Sequence, residues 1–385
     1  MTLWRARQVQ TRAEILQAQG VLRVLRPPMV APPAVKGQPS FVASDPSEGM
    51  EVLIAVWDDG SVTALHGHVD LGTGLRTALT QVVAEELEVP IERVHLLMGS
   101  TSAAPNQGAT IASTSLQIHA QPLRVAAAQA RQWLLAQNPE AVSDWPRWVP
   151  AAGLDLMLDL STPVKPAQDY RVVGQSIPRV DIPGKATGEA MFVHDLRMPG
   201  MLHGRVVRPP YAGADHGDFI GQTLESVDAS SIAHIPGIRA VVVQRDFVGV
   251  VAEREEHAEQ AQRELVVHWK PWPGMTPVDD LAQALRTNPS TPRELVNEGS
   301  VEEALAHADQ TFERTYIWPY QMHASIGPSC AVAVWLQGQD PQAPGLQLRV
   351  WAGTQNPHVL RADLARLMGT RDVDVDVVRM EAAGC

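Results

Sequence analysis

Cysteine is almost absent from this chain of 385 residues, which has only Cys330 and Cys385. Two thiols cannot supply the four ligands of an ordinary iron–sulfur cluster. They also make no disulfide framework, which suits a reducing compartment. If the chain takes part in redox chemistry, its electrons must therefore leave through another polypeptide.

Long apolar runs and clustered basic residues are also missing. No run of 18 apolar residues occurs, so the sequence predicts no transmembrane helix. Residues 1–7 carry charge but neither an apolar core nor a cleavage site, so they do not indicate a signal peptide and the chain is predicted to be cytoplasmic. The formal net charge of −12, with no basic stripe, argues against a nucleic-acid partner.

Metal-ligand spacing is a third absence. No group of histidine, cysteine, aspartate and glutamate has the spacing of a protein-bound metal, so we expect no protein-ligated metal. His323 lies in an apolar strand context and is interpreted as a packed core histidine. No repeat period of 20 to 50 residues is present, which excludes a solenoid.

The composition is that of a globular protein of two or three domains, with 45% hydrophobic and 19% charged residues. Residues 8–26 have helical spacing, and residues 27–33 indicate a proline-rich linker, so ordered structure is expected to begin near Glu51. Asp58-Asp59-Gly60 between two apolar runs predicts a β-hairpin.

Helical and strand-like patterns alternate along the rest of the chain. The predicted helices are 76–88, 113–137, 255–264, 301–308 and 358–368, and the predicted strands are 94–98, 205–208, 240–243, 247–252, 265–269, 330–335 and 373–380. This mixture of strands and a few packed helices predicts an α+β fold.

Two glycine-containing loops each precede a predicted helix. Gly72-Thr73-Gly74 would let backbone N–H groups approach an anionic or polar ligand, although the same sequence is common in a tight turn. Residues 108–115 offer small residues and hydroxyls that either cap a helix or hold phosphate. Spacing alone leaves these alternatives open.

Two more candidate segments lie nearer the C-terminal end. Residues 354–357 open a predicted helix, with Asn356 as the N-cap and Pro357 in the first turn. This local account leaves the Gln355 amide unassigned, a group that can both donate and accept hydrogen bonds. Residues 383–385 follow a predicted strand and are interpreted as the start of a glycine-rich cofactor loop.

Several ordered segments jointly resemble the molybdopterin-binding large subunit of the xanthine dehydrogenase and aldehyde oxidase superfamily. They are most similar to the branch that contains the B subunit of nicotinate dehydrogenase and the beta subunit of isoquinoline 1-oxidoreductase. The motifs that carry the resemblance are His68-Val69-Asp70-Leu71-Gly72-Thr73-Gly74, Pro105-Asn106-Gln107-Gly108-Ala109-Thr110, Asp181-Ile182-Pro183-Gly184-Lys185-Ala186-Thr187-Gly188 and Ser325-Ile326-Gly327-Pro328-Ser329-Cys330.

The resemblance implies that pieces of molybdopterin-binding domains flank an a/b hammerhead domain. The expected divisions are an N-terminal lead with a proline-rich linker (1–50), a portion of an N-terminal molybdopterin-binding domain (51–137), a connector (138–169), the a/b hammerhead domain (170–275) and the start of the first molybdopterin-binding domain (276–385).

The resemblance also implies roles for single residues. Gln355 matches the glutamine that hydrogen-bonds an oxo ligand on molybdenum, and Thr73 stands where relatives have glutamine, so any contact it makes must differ. Residues 108–113 resemble a loop for the pterin-dinucleotide phosphate, and residues 383–385 match the start of the loop over the metal. The expected cofactor-binding residues are Gly72, Thr73, Gly74, Gly108, Ala109, Thr110, Ser113, Gln355, Ala383, Gly384 and Cys385.

The activity implied by the resemblance is water-dependent hydroxylation of an N-heteroaromatic compound, with aldehyde oxidation as the alternative. The implied cofactor is molybdenum–molybdopterin in its cytosine dinucleotide form, in which dithiolene sulfurs hold the metal. The expected partners are a small [2Fe–2S] subunit and, further along the electron path, a cytochrome c subunit, through which the chain would associate with the inner membrane.

Two departures from the family pattern favour a function of another class. The family's catalytic glutamate lies in a C-terminal half that has no counterpart here, and the connector at residues 138–166 is shorter than usual. A truncated coding sequence would explain both departures. The second hypothesis is therefore a non-catalytic fragment or scaffold, and the isolated chain is expected to be inactive.

Overall fold

The computed structural model describes residues 11–30, 42–44, 46–138, 148–212, 221–272, 274, 278–319, 321, 324–336 and 345–381. The predictions for His323 and for Ala383, Gly384 and Cys385 lie outside these residues. The chain divides into two compact units, the first formed by Met1–Leu196 with Tyr320–Cys385 and the second by Arg197–Pro319. No helix in the described part of the chain is both long and apolar enough to span a membrane.

The described strands are β1 (Val21–Arg26), β2 (Glu51–Trp57), β3 (Val62–His66), β4 (Val94–Met98), β5 (Leu154–Met157), β6 (His203–Val207), β7 (Leu224–Asp228), β8 (Ile238–Gln244), β9 (Phe247–Ala252), β10 (Val266–Trp269), β11 (Ala331–Trp335), β12 (Leu348–Ala352) and β13 (Val375–Arg379). The described α-helices are α1 (Arg12–Gln17), α2 (Leu75–Leu87), α3 (Ala120–Gln137), α4 (Ile182–Thr187), α5 (Glu255–Glu264), α6 (Leu281–Thr287), α7 (Val301–Ala306) and α8 (Pro357–Met368).

A five-stranded sheet in the order β4-β3-β2-β1-β5 forms the centre of the first unit. The pairs β4–β3 and β1–β5 are parallel, whereas β3–β2 and β2–β1 are antiparallel. Helices α2 and α3 bury Leu79, Val83 and Leu123 against one sheet face. The opposite face, which includes Trp57 of β2, packs on Ile15 of α1, so both faces are covered and β2 is buried along its whole length.

A smaller sheet of the first unit, in the order β11-β12-β13, packs against α8. Strands β12 and β13 are parallel, and their apolar residues meet Ala365 of the helix. Because the carboxyl ends of parallel strands meet at one edge, the residues after β12 and β13 are brought to the same side. This edge carries Gln355 and Glu381.

The second unit has a three-stranded antiparallel sheet in the order β6-β9-β8 and a separate antiparallel pair, β7 with β10. Val248 and Val250 of β9 pack with Ala261 of α5 in its core. Residues 289–319 are exposed throughout, among them the apolar Phe312 and Trp318.

The hairpin around Gly60, the helix at 76–88, the helix at 358–368 and the α+β class are confirmed. The helical prediction for residues 8–26 was wrong for its second half, which forms β1 between β2 and β5. Ordered structure thus begins well before Glu51. The run of buried residues in β1 has no period-2 alternation, since both its faces are covered, and a short apolar run of that kind also fits a helix.

Candidate functional site

The Gly72-Thr73-Gly74 loop is organised by the buried carboxylate of Asp70. Oδ1 of Asp70 accepts hydrogen bonds from the N–H groups of Gly72 (2.8 Å), Thr73 (2.9 Å) and Gly74 (3.2 Å). Its Oδ2 accepts from the N–H of Arg76 at 2.9 Å, so the carboxylate caps the start of α2. The sequence left open whether this loop is a ligand site or a tight turn, and its N–H groups fit the tight turn, because they donate to Asp70.

The carbonyl side of the same loop is held by Arg179. Its Nη1 donates to the carbonyl oxygen of Gly72 at 2.7 Å, and its Nη2 donates to Asp181 at 2.6 Å. Lys185 also donates to Asp181, at 2.8 Å. The Arg179 guanidinium lowers the pKa of Asp181 well below its usual value, and Lys185 adds to this effect against the opposing effect of burial. The loop is therefore fixed on its N–H and C=O sides by charged groups.

Thr110 joins two of the predicted site segments across 245 positions of sequence. Its N–H donates to the carbonyl oxygen of Gln355 at 3.0 Å, and Gln355 Nε2 donates to the carbonyl oxygen of Thr110 at 2.9 Å. Thr110 Oγ1 also accepts from the N–H of Val69 at 2.9 Å. One threonine thus brings together the loop after β3, the loop before α3 and the segment before α8.

Residues 108–113 make a strained and partly exposed loop. Gly108 donates its N–H to Asn106 Oδ1 at 3.2 Å and has a φ of 78°. Ala112 and Ser113 have φ of 54° and 57°, in the left-handed region that costs a non-glycine residue about 1 kcal/mol or more. Both are exposed, and a π-helical turn (Ser115–His119) follows before α3. Strain and π-turns of this kind concentrate at ligand sites.

Three histidines behind this loop were not predicted as a cluster. The ring centroids of His66 and His68 are 5.5 Å apart, and those of His68 and His119 are 4.1 Å apart. His66 Nδ1 accepts from the N–H of His68 (3.2 Å), so its own proton is on Nε2, 3.3 Å from the carbonyl of His119. The i, i+2 spacing of the first two rings was a usable signal, but His119 is joined to them only by folding.

His68 connects the cluster to the hydroxyl-bearing loop. Its Nδ1 is hydrogen-bonded to Ser115 Oγ at 2.8 Å and its Nε2 lies 3.3 Å from the carbonyl oxygen of Gln107, which accepts its proton. Burial lowers the pKa of His68 to about 4, and the neighbouring His119 acts in the same direction. Burial, followed by the charge of His68, lowers the pKa of His66 to about 3. Both rings are therefore neutral at physiological pH, and each can keep one acceptor and one donor.

Gly67 shows how closely the backbone segments approach one another here. A Cβ atom at this position would lie 2.2 Å from the carbonyl oxygen of Pro105. Its N–H donates to Gln107 Oε1 at 2.6 Å, and Gln107 Nε2 donates to the carbonyl oxygen of His119 at 3.2 Å. Only glycine fits at this crossing.

The start of α8 differs from its predicted local account. Pro357 is in the first turn as expected, but the Asn356 side chain makes no capping hydrogen bond. Instead Thr354 Oγ1 accepts from the N–H of Asn356 at 3.0 Å. Within the described residues, Asn356 Oδ1 is buried without a hydrogen-bond partner. An orphaned acceptor next to Gln355 is the kind of group that a polar ligand satisfies.

The end of β13 joins the site through Glu381. Its Oε1 pairs with Arg76 Nη2 (3.0 Å) and Arg379 Nη1 (3.3 Å), and its Oε2 pairs with Lys185 Nζ (3.0 Å). Arg379 also donates to the carbonyl oxygen of Asp70. The structure therefore links the described end of the chain to the Gly72–Gly74 loop, while the predicted residues 383–385 lie outside the described residues.

The assembled residues offer hydroxyls, an amide, a strained turn and an orphaned acceptor. Thr73 and Ser113 are exposed, and Gln355 and Asn356 are partly buried in a segment distant from them in sequence. These groups fit a large, polar cofactor that is held by hydrogen bonds. None of the predicted site residues carries a carboxylate or an imidazole, the most common general bases.

The sequence of residues 8–144 matches the family described as molybdopterin cofactor-binding domain, and residues 287–384 match a second family of the same description. The first range contains the loops at Gly72–Gly74 and 108–113, and the second contains Gln355.

The chain is 50% identical to the B subunit of nicotinate dehydrogenase from Pseudomonas putida over 402 aligned residues, covering 99% of this chain and 33% of that protein. It is 26% identical to the beta subunit of isoquinoline 1-oxidoreductase from Brevundimonas diminuta, covering 89% of this chain and 51% of that protein. The chain therefore spans about a third to a half of the length of these relatives.

Among solved structures, the aldehyde oxidoreductase of Desulfovibrio gigas is similar at a TM-score of 0.41 and 19% identity, over 68% of this chain and 30% of that one. Quinoline 2-oxidoreductase from Pseudomonas putida 86 is similar at a TM-score of 0.40 and 17% identity, over 55% of this chain and 30% of that one.

Proposed function

Since the chain belongs to the molybdopterin-binding xanthine dehydrogenase family, we propose that it supplies part of the cofactor site of a molybdenum hydroxylase acting on N-heteroaromatic compounds. The observation that carries this proposal is the meeting of three segments at Thr110, which hydrogen-bonds both Val69 and Gln355. For each of these three segments, a sequence motif separately predicts contact with the cofactor.

The proposed roles follow from the donors and acceptors present. Gln355 is positioned by its two hydrogen bonds to Thr110, and it would direct its amide toward a polar group of the cofactor. Thr73 and Ser113 carry exposed hydroxyls that can donate to phosphate or pterin oxygens. When bound, the molybdenum–pterin group would supply the two-electron oxidation, with water as the oxygen source.

The cofactor residues proposed here are those expected from the resemblance: Gly72, Thr73, Gly74, Gly108, Ala109, Thr110, Ser113, Gln355, Ala383, Gly384 and Cys385. Because the N–H groups of Gly72, Thr73 and Gly74 donate to Asp70, that loop would contact the cofactor through the Thr73 side chain and its exposed outer surface. We propose the cytosine dinucleotide form of the pterin.

Substrate choice rests on the relatives. The 50% identical protein is named for nicotinate and the 26% identical one for isoquinoline, both of which are N-heteroaromatic. We therefore propose a substrate of this class, an electron-accepting [2Fe–2S] subunit, and a cytochrome c subunit further along the electron path. Association with the inner membrane would follow from these partners.

The proposal assigns no catalytic base to this chain. The family base is a glutamate with no matching position here, so the 385-residue chain is proposed to be inactive without further polypeptide. The parent activity would need that polypeptide and the iron–sulfur partner together.

The first experiment is expression together with a small [2Fe–2S] subunit, in a host that makes molybdenum cofactor. Metal analysis of the purified protein should give molybdenum with a pterin cytosine dinucleotide, and the iron–sulfur protein should co-purify. Gln355→Ala should reduce molybdenum content several-fold, whereas Gln283→Ala, on the exposed side of α6, should leave it unchanged. Stoichiometric molybdenum in Gln355→Ala would remove the proposed role of this amide.

Substrate class is tested with a longer version of the chain that includes the remaining length of its relatives. Nicotinate, isoquinoline and simple aldehydes are supplied in turn, with an artificial electron acceptor. Turnover of the heteroaromatics is expected, and turnover of aldehydes alone would overturn the substrate proposal. Reduction of the acceptor with no iron–sulfur protein present would overturn the partner proposal.

A further inference from the structure

Glu381 is the meeting point of three cations that come from distant parts of the first unit. Arg76 is in the first turn of α2, Lys185 is in α4 and Arg379 ends β13. Each places a nitrogen 3.0 to 3.3 Å from a carboxylate oxygen of Glu381. The side chain of Glu381 is only 17% exposed, and that of Arg379 only 2% exposed. A carboxylate in this position is therefore an obligatory partner for a buried guanidinium.

The first path from Glu381 to the Gly72–Gly74 loop passes through Asp70. Arg379 donates one Nη1 bond to Glu381 and one Nη2 bond to the carbonyl oxygen of Asp70. Arg76 pairs with Glu381 through its side chain, and its own N–H donates to Asp70 Oδ2. Asp70 is thus held by hydrogen bonds to its carbonyl oxygen and to its carboxylate. The same carboxylate accepts hydrogen bonds from the N–H groups of the loop.

The second path reaches the other side of the loop. Lys185 Nζ pairs with Glu381 and also with Asp181. Asp181 receives two bonds from Arg179, and Arg179 Nη1 donates to the carbonyl oxygen of Gly72. The two paths leave Glu381 by different cations and end on opposite sides of the same short loop.

We infer that Glu381 is a positioning residue for the Gly72–Gly74 loop, acting through Asp70 on one side and Arg179 on the other. Its relevance to a cofactor rests on the proposed function, in which this loop contacts the molybdenum–pterin group. Glu381 itself lies 305 positions away from Arg76 in sequence, so this coupling depends on the tertiary structure.

A purely local role for Glu381 would be to fix the end of β13. The two roles predict different effects of a substitution at Glu381 on amide hydrogen exchange. If Glu381 only fixes β13, exchange should change in the amides of β13 alone. If Glu381 positions the loop, exchange should change in the amides of residues 72–76, because their acceptor Asp70 loses its orientation. Amide hydrogen exchange followed by mass spectrometry resolves these two segments.

The test variant is Glu381→Gln, which keeps the shape of the side chain and removes its charge. Exchange of the amides in residues 72–76 should become about tenfold faster, while the amides of β2, at the centre of the sheet, should keep the wild-type rate. The matched control is Glu255→Gln, because Glu255 pairs with Arg205 at 2.8 Å on the surface of the second unit. Unchanged exchange at 72–76 in Glu381→Gln would overturn the inference.

A second variant covers the case in which Glu381→Gln does not fold. Arg179→Gln removes the contact with the Gly72 carbonyl at a side chain that is 31% exposed, so the fold should tolerate it. It should also accelerate exchange in residues 72–76, by a smaller factor. If both folded variants exchange like the wild type, the loop is not held by this network.

Molybdenum content provides the separate measurement on the cofactor. Glu381→Gln is expected to retain less molybdenum than the wild type when both are produced with the iron–sulfur partner. A wild type without molybdenum would contradict the proposed function, but faster exchange in the variant would still support the positioning role. A variant with wild-type exchange would contradict the positioning role whatever its metal content.

Discussion

The two units differ in how deeply their charged residues are buried. In the first unit, Glu85 and Asp70 are buried and each accepts several hydrogen bonds from backbone N–H groups. In the second unit, the half-buried Asp246 accepts from the N–H groups of Thr223 and Leu224, and the ion pairs among the described residues lie at the surface, as in Arg254 with Glu256 and Arg263 with Glu259.

The difference shows which charges fix backbone and which cover surface. A buried carboxylate satisfies the hydrogen bonds of several backbone N–H groups. If the carboxylate is removed, these buried donors stay unsatisfied, and the folded state is destabilised by the full cost of each unsatisfied donor. An exposed pair gains little, because water screens it and both side chains lose rotamer freedom. The Gly72–Gly74 loop, which is proposed to contact the cofactor, depends on the first kind of charge.

The largest expected effect comes from Asp70. In Asp70→Asn one of the two oxygens becomes an NH2 group that faces N–H donors, so the free energy of unfolding should fall by about 3 kcal/mol. Urea denaturation measures this change. Asp279→Asn, at an exposed position, is the control and should keep the wild-type midpoint. A loss at Asp70 no larger than in the control would erase the contrast between the units.

Glu85 should give an effect of similar size, with a characteristic pH dependence. Burial acts to raise its pKa, but Lys165 and the N–H groups of Val172, Val173 and Arg171 outweigh it and lower the pKa to about 2. The unfolded chain therefore binds more protons between pH 4.5 and 2, and this stabilisation is lost as the pH falls through that window.

In Glu85→Gln the free energy of unfolding at neutral pH should fall by about 3 kcal/mol, the value of a shift of this size. The difference from the wild type should shrink as the pH is lowered from 4.5 toward 2. Denaturation curves at several pH values provide the measurement. A difference that stays constant with pH would mean that the charge of Glu85 is not what stabilises residues 165–173.

The titration of His68 should have a moderate effect on stability, seen in mild acid. Its folded-state pKa is lowered from 6.5 to about 4, so the unfolded chain takes up the proton first and stability is lost as the pH falls from 6.5 toward 4. His68→Gln cannot titrate, so its loss of stability over this range should be shallower by up to about 1.4 kcal/mol per pH unit. Parallel pH profiles of variant and wild type would contradict this expectation.

The smallest effect is expected at Glu255 in the second unit. Its pair with Arg205 lies at the surface, where such pairs often contribute nothing measurable. Glu255→Gln should therefore leave the thermal midpoint unchanged within error, at low and at moderate salt. A clear destabilisation would show that exposed pairs matter here more than the comparison of the two units implies.

Much of the secondary structure was predictable because its periodicity is local. Helix α2 places Leu79 and Val83 on one face, and the hairpin turn after Trp57 has its own sequence signature. Strand β1 was not predictable, since its partners on both sides come from residues 51–57 and 154–157. A strand buried on both faces has no alternation that would separate it from a helix.

Single residues of the site were predictable from the sequence, but the contacts between distant segments were not. Asp70, two residues before Gly72, had the spacing of an aspartate that bonds the backbone N–H two positions on, so its role could have been found. The contact between Thr110 and Gln355 could not have been predicted, because neither segment has a sequence feature that identifies the other as its partner. His119 likewise meets His68 only after α3 packs on the sheet.

The sequence by itself determined the family, the α+β class and the residue types at the candidate cofactor loops, because these follow from local patterns and from motifs read in order. The tertiary structure alone decided that Glu381, Arg379 and Lys185 act on the Gly72–Gly74 loop. The physical reason is that a buried charge must find an opposite charge or a hydrogen bond, and burial brings that partner from any distance along the chain.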